Sequence, residues 1–134
     1  MSHTNNKDKI IDFNTGERII AHGDEANCAY MIIDGHVRVF IEEGTRKISL
    51  ATLGPEQIFG ETAILTGSST YGANVEALEN CKLRIITREF LNGVLDSSDP
   101  VIRALLLMLL ERLKNTNEAL VKSETREFMD IVLI

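Results

Sequence analysis

Glycines recur along the first half of the chain and divide it into short apolar segments. They fall at positions 16, 23, 35, 44, 54, 60, 67 and 72, at spacings of 5 to 12 residues. Apolar segments of this length, separated by turn residues, are typical of an all-β sandwich or barrel. We therefore expect a mainly β protein with flanking helices, in which eight strands between residues 10 and 87 form a double-sheet jelly roll (β-roll).

The segments alternate between apolar and other residues, as half-buried strands do. In HVRVFI, Val37, Val39 and Ile41 share one face of the predicted strand. The preceding YMIIDGHVRVF predicts a hairpin, because Gly35 can adopt the positive φ that a tight turn needs. A second hairpin is predicted around Gly44, where VRVFIEE meets RKISLATL.

The period changes after Thr87, where two helices are predicted. Thr87 precedes a short amphipathic helix over residues 88–95. Ser98 or Asp99 can cap the next helix, and Pro100 suits a first helical position. This second helix is expected to run for about 28 residues, or roughly 40 Å.

A 3-4 apolar stripe on the long helix predicts a partner. The stripe is of coiled-coil type and consists of Leu106, Leu109, Leu113, Thr116 and Leu120. We predict a homodimer through this face; the alternative is that the whole helix is internal core. The apolar tail FMDIVLI also favours a partner. The expected organisation is a disordered tail at 1–9, a β-roll with a short helix at 10–97, and a dimerisation helix with its tail at 98–134.

Composition and charge disfavour several classes of function. The net charge is −6, and residues 48–81 contain no Lys, Arg or His, which argues against a nucleic-acid footprint. About ten residues follow the turn at Leu120, so no DNA-reading motif is expected.

No apolar run approaches a membrane span, and the polar N-terminus lacks a signal core, so a cytoplasmic protein is expected. Three scattered histidines disfavour a metal-dependent enzyme of the cupin type, and we predict no enzymatic activity.

The segment FGETAIL carries the clearest chemical signal. Gly60 permits close backbone approach, and the residues after it can form a short helix. The free N–H groups of Glu61, Thr62 and Ala63 would then point toward an anion. The simpler alternative is a capped turn with a surface glutamate.

FGETAIL, together with FNTGERIIAHGDEANCAYMIIDGHVRVF upstream, resembles the cyclic nucleotide-binding domain family over residues 13–120. The resemblance implies an eight-stranded jelly roll, a phosphate-binding cassette over residues 60–75 and a long C-terminal helix that mediates dimerisation. The resemblance also implies cyclic AMP or cyclic GMP as the ligand, and it is compatible with a separate effector protein as a partner. In the family the glutamate, here Glu61, accepts from the ribose 2′-hydroxyl, and the following amides, here those of Thr62 and Ala63, meet the cyclic phosphate.

The sequence departs from the family pattern where an arginine should pair with the phosphate. Tyr71 aligns with that arginine, or Thr70 does if the loop is one residue longer, and Gly72 follows. Neither candidate is basic, and Ser69 adds only a hydroxyl. We therefore expect a stand-alone sensor or regulatory domain in which cyclic nucleotide binding is weak or altered. The alternative is a ligand-free dimerisation or protein-interaction module on the same fold.

Overall fold

The computed structural model describes the backbone of residues 9–123 and side chains as far as residue 112. Two four-stranded antiparallel sheets stack on each other, one with strand order β1-β8-β3-β6 and the other with order β2-β7-β4-β5. The strands are β1 Ile10–Phe13, β2 Arg18–Ile20, β3 Cys28–Asp34, β4 Val37–Glu43, β5 Arg46–Leu53, β6 Ile58–Phe59, β7 Asn74–Ala77 and β8 Cys81–Thr87. The predicted eight-stranded double-sheet roll is confirmed.

The core lies between the two sheets. Val37 and Val39 of β4 are fully buried there, as the alternating pattern predicts, and Ile41 is partly buried. Phe59, at the end of β6, is also fully buried and stacks on Tyr30 of β3, with ring centroids 5.3 Å apart. This packing fixes the strand that leads directly into FGETAIL.

Three helices complete the described fold: α1 Glu61–Thr66, α2 Arg88–Ser97 and α3 Pro100–Ser123. Thr87 caps α2, because its Oγ1 accepts a hydrogen bond from the Phe90 N–H at 3.0 Å. Asp99 caps α3 in the same way, accepting from the Val101 N–H at 2.8 Å. Both predicted helix starts are therefore confirmed, and α3 contacts α1.

The described part of α3 leaves much of its apolar surface uncovered. Val101 is 66% exposed and Leu109 57%, whereas Leu106 is partly buried. The other members of the predicted stripe, Leu113, Thr116 and Leu120, lie outside the described side chains, as do residues 124–134 of the tail. Residues 1–8 of the predicted disordered tail also lie outside the described residues. Within residues 9–123, no helix is both long enough and apolar enough to span a membrane.

Candidate functional site

Gly60 makes the turn from β6 into α1. Its φ is 81°, in the left-handed region that favours glycine. A Cβ at this position would also lie 3.2 Å from Ile20 Cδ1 and 3.4 Å from the carbonyl oxygen of Cys28. The turn thus brings the start of α1 directly against β2 and β3.

Glu61 is the first residue of α1 and is partly buried. Burial raises the pKa of its carboxyl group, while hydrogen bonds from the Thr62 hydroxyl and from the N–H groups of Glu61 and Thr62 oppose that increase. The Thr62 Oγ1 donates to Glu61 Oε2 at 3.3 Å. The carboxylate therefore lies beside the first amides of the helix, where the sequence predicts an external anion.

Several cassette hydroxyls are engaged within the cassette itself. Thr66 donates to the carbonyl oxygen of Thr62 at 2.6 Å. Ser68 Oγ donates to the carbonyl oxygen of Thr70 at 2.9 Å and accepts from the Thr70 N–H at 3.3 Å. These bonds shape α1 and the loop after it (residues 67–72, the cassette loop).

Tyr71 is the buried residue of the cassette loop, with 8% of its surface exposed. Its hydroxyl donates to the carbonyl oxygen of Cys28 at 2.6 Å and accepts from the N–H of the same residue at 3.3 Å. Burial raises the pKa of the phenol. One of the two positions predicted to align with the family's arginine thus holds a neutral phenol bonded to the backbone of β3.

Backbone pairing joins the cassette loop to the segment between β2 and β3. The Tyr71 N–H donates to the carbonyl oxygen of Asp24 at 3.0 Å, and the Gly23 N–H donates to the carbonyl oxygen of Tyr71 at 2.9 Å. The Ala26 N–H donates to the carbonyl oxygen of Ser69 at 2.9 Å. The loop is therefore added to the barrel as a short extended segment.

Arg88 is a cation at the cassette loop that the sequence analysis missed. Its Nη2 donates to the carbonyl oxygens of Ala26 at 2.7 Å and Ser68 at 3.3 Å. Arg88 begins α2, and it reaches the loop because the preceding Thr87 pairs with Cys28 in the register of β8 and β3. The pairing of β8 with β3 is what places Arg88 at the loop, and the sequence alone does not show which strands pair.

The end of the cassette is held by polar contacts on the outer face of β7. Asn74 is buried, and its Oδ1 accepts from the His22 N–H at 2.8 Å and from Arg18 Nη1 at 3.2 Å. Glu76 is buried beside it and binds Arg38 and Lys47. Burial alone would raise the pKa of Glu76, but the hydrogen bonds and charges of Arg38 and Lys47 together lower it.

The predicted site residues fall into two sets. One set is buried or partly buried: Gly60, Glu61, Thr62, Ala63 and Tyr71. The other is exposed on the cassette loop: Ser69, Thr70 and Gly72. No group of three His, Cys, Asp or Glu side chains in the described part of the chain is arranged to hold a metal ion.

The roll, the glycine turn into α1 and the loop returning to β7 lie within one domain. Residues 10–98 match the family model described as the cyclic nucleotide-binding domain. The chain belongs to this family, and the resemblance drawn from FGETAIL is confirmed.

Relatives of known name agree with this assignment. The chain is 29% identical to the cyclic AMP receptor protein of Thermus thermophilus over 103 residues, which are 76% of this chain and 47% of that protein. It is 39% identical to the cAMP-dependent protein kinase type II regulatory subunit of Drosophila melanogaster over 54 residues, 40% of this chain and 14% of that protein. The chain therefore spans less than half the length of each of these relatives.

Solved structures also match the fold. The EAL enzyme Bd1971 in its cGMP-bound form superposes with a TM-score of 0.73 and 31% identity, covering 85% of this chain and 30% of that one. Its cAMP-bound form gives a TM-score of 0.71 at 31% identity, covering 82% and 30%. The similarity to that enzyme is thus limited to a minor part of its chain.

Proposed function

We propose that this chain is a sensor or regulatory domain whose cyclic nucleotide binding is weak or altered because the cassette arginine is missing. The observation that carries the proposal is the environment of Tyr71. Its hydroxyl is already bonded to both backbone groups of Cys28. No Lys, Arg or His lies anywhere in residues 48–81, and Arg88 is engaged on backbone carbonyls of the loop.

The energetic consequence of a missing cation is large. Losing one partner of a buried, hydrogen-bonded charge pair costs about 2–5 kcal/mol, which is roughly 30- to several-thousand-fold in affinity. A neutral hydrogen bond returns only about 0.5–1.5 kcal/mol. For Tyr71 to donate to a phosphate, its hydroxyl must also give up its hydrogen bond to the carbonyl oxygen of Cys28. Cyclic AMP and cyclic GMP therefore remain candidate ligands, with reduced affinity.

Calorimetric titration with cyclic AMP and cyclic GMP tests this proposal. We expect weak binding by the wild type and binding at least roughly 30-fold tighter by Tyr71→Arg. Tyr71→Phe is the matched control, because it keeps the ring and supplies no base. If Tyr71→Arg unfolds, Thr70→Arg tests the alternative alignment at an exposed position. Wild-type binding as tight as that of a folded arginine variant would refute the proposal.

The exposed apolar surface of α3 favours a second role, self-association. The surface includes Val101, Ile102, Leu105 and Leu109, which are 49–66% exposed. A homodimer through α3 would bury this surface, and a separate effector protein could be regulated by the same helix. This role needs no ligand, so it is the alternative function if neither nucleotide binds.

Sedimentation velocity tests the homodimer. Leu109→Glu, at an exposed apolar position of the predicted stripe, is expected to convert the dimer to a monomer with an unchanged circular dichroism spectrum. Arg112→Glu, an exposed charged position one turn away, is the control for added negative charge. A wild type that sediments as a monomer at high concentration would contradict this role.

A further inference from the structure

We propose that Tyr71 and Arg88 clamp the cassette loop onto β3 and the β2–β3 segment in the absence of ligand. Tyr71 holds the loop through the hydrogen bonds of a neutral hydroxyl, without a charge on its own side chain. The proposal relies on the proposed function only in assigning residues 60–75 as the cassette. The clamp consists of the Tyr71 hydroxyl and the Arg88 guanidinium, which hold the cassette loop in the protein without nucleotide.

The inner contact of the clamp is the Tyr71 hydroxyl. It satisfies both backbone groups of Cys28, a residue 43 positions earlier in the chain, as donor at 2.6 Å and as acceptor at 3.3 Å. The side chain is buried and belongs to the same core cluster as Ile20 and Ala63. A buried arginine at this position would be an uncompensated charge until an anion arrived. A phenol is neutral and is fully bonded from the start.

The outer contact is Arg88. Its guanidinium joins the carbonyl oxygen of Ser68 on the loop to that of Ala26, just before β3. Hydrogen bonds from a charged donor are stronger than those between neutral groups. Because Arg88 is also the first residue of α2, it connects the loop position to the helical segment that follows the roll.

The two contacts hold the same piece of chain from opposite ends. Between them, the N–H groups of Ala26 and Tyr71 pair with the carbonyls of Ser69 and Asp24. At the other end of the cassette, the Glu61 carboxylate lies beside the first amides of α1. The described contacts of the cassette loop are therefore made to protein atoms of β3 and of the segment before it.

Residue-resolved amide hydrogen exchange on the protein without nucleotide tests the clamp. The reporter amides are those of Gly23, Ala26, Cys28 and residue 71. Tyr71→Phe removes one neutral hydrogen-bonding hydroxyl, so these amides should exchange roughly 2- to 13-fold faster relative to those of β4 and β5. Arg88→Ala should accelerate the amides of Ala26 and residue 71, while Cys28, still bonded to Tyr71, keeps its protection.

Ser98→Ala is the control, because it also removes one hydroxyl that donates to a backbone carbonyl, that of Leu95 at 2.7 Å, and this contact lies outside the cassette loop. It should leave the reporter amides unchanged relative to β4 and β5. Equal acceleration in Ser98→Ala and Tyr71→Phe, or none in Tyr71→Phe, would overturn the clamp. Since no ligand is added, that result is independent of whether the calorimetric test of nucleotide binding succeeds.

Discussion

Replacing Glu76 by glutamine removes the anion at the centre of the contacts that hold β7. The Glu76 side chain is 11% exposed; its Oε2 accepts from Arg38 Nε at 2.8 Å, and its Oε1 accepts from Lys47 Nζ at 3.0 Å. Hydrogen bonds to charged groups are worth about 1.5–3 kcal/mol each. Arg38 and Lys47 keep 32% and 43% exposure, so water screens the attraction and can solvate them after the change.

We therefore expect Glu76→Gln to lower the free energy of unfolding by about 1.5–3 kcal/mol in total, or Tm by about 5–12 °C. Urea and thermal denaturation at pH 7 measure this. Glu79→Gln is the control, because Glu79 pairs with His36 at 2.5 Å but both side chains are more than half exposed. Its cost should stay below about 1 kcal/mol. Equal losses in the two variants would refute the argument from burial.

The pH dependence gives a second readout of the same contacts. The pKa of Glu76 is lowered on folding from its ordinary value of 4.5. Its contribution to stability is therefore complete above pH 4.5 and is lost as the pH falls through the folded pKa. Glu76→Gln should flatten the acid limb of the stability curve. An acid limb identical to that of the wild type would contradict the assignment.

Two further predictions concern the start of α1. Burial raises the pKa of Glu61 above its ordinary value of 4.5. At a pH above 4.5, ionising this carboxyl group therefore costs more free energy in the folded protein than in the unfolded chain. Glu61→Gln should therefore raise Tm at pH 7, with the gain disappearing as the pH falls below 4.5; a lower Tm at pH 7 would refute this. Gly60→Ala should cost about 1–2 kcal/mol from its φ of 81°, plus the contact with Ile20. Gly67→Ala, at a φ of 79° with open space around it, isolates the backbone cost, and chemical denaturation should rank it as the milder change.

The fold was predictable where the signal is local. The alternation in β4 correctly places Val37 and Val39 in the core, and the capping residues Thr87 and Asp99 mark the helix starts. These features depend on backbone dihedrals and on neighbours a few residues apart, so a single sequence contains them. The confirmed family resemblance depends on the same kind of local spacing in FGETAIL.

The outer face of β4 was not predictable in this way. Phe40 alternates with Val39 and so points away from the core, yet it is fully buried. The guanidinium carbons of Arg18 and Arg38 and the Nζ of Lys47 lie 4.9–5.6 Å from its ring centroid and cover it. Arg18 and Lys47 come from β2 and β5, and only the sheet order β2-β7-β4-β5 brings them together.

The candidate site shows the same division between local and distant information. A search for charge within residues 48–81 finds no cation, so Tyr71 or Thr70 stays the predicted counterpart of the family's arginine. The search misses Arg88, which follows Ser68 by 20 residues in the sequence. Arg88 reaches the loop only because the preceding Thr87 pairs with Cys28. Arg88 does not take the place of the expected arginine, because its guanidinium is bonded to the backbone carbonyl oxygens of Ala26 and Ser68. The position of this cassette loop therefore depends on contacts with residues distant in sequence, because a phenol binds the backbone of β3 and a guanidinium from α2 binds the carbonyl oxygens of Ala26 and Ser68.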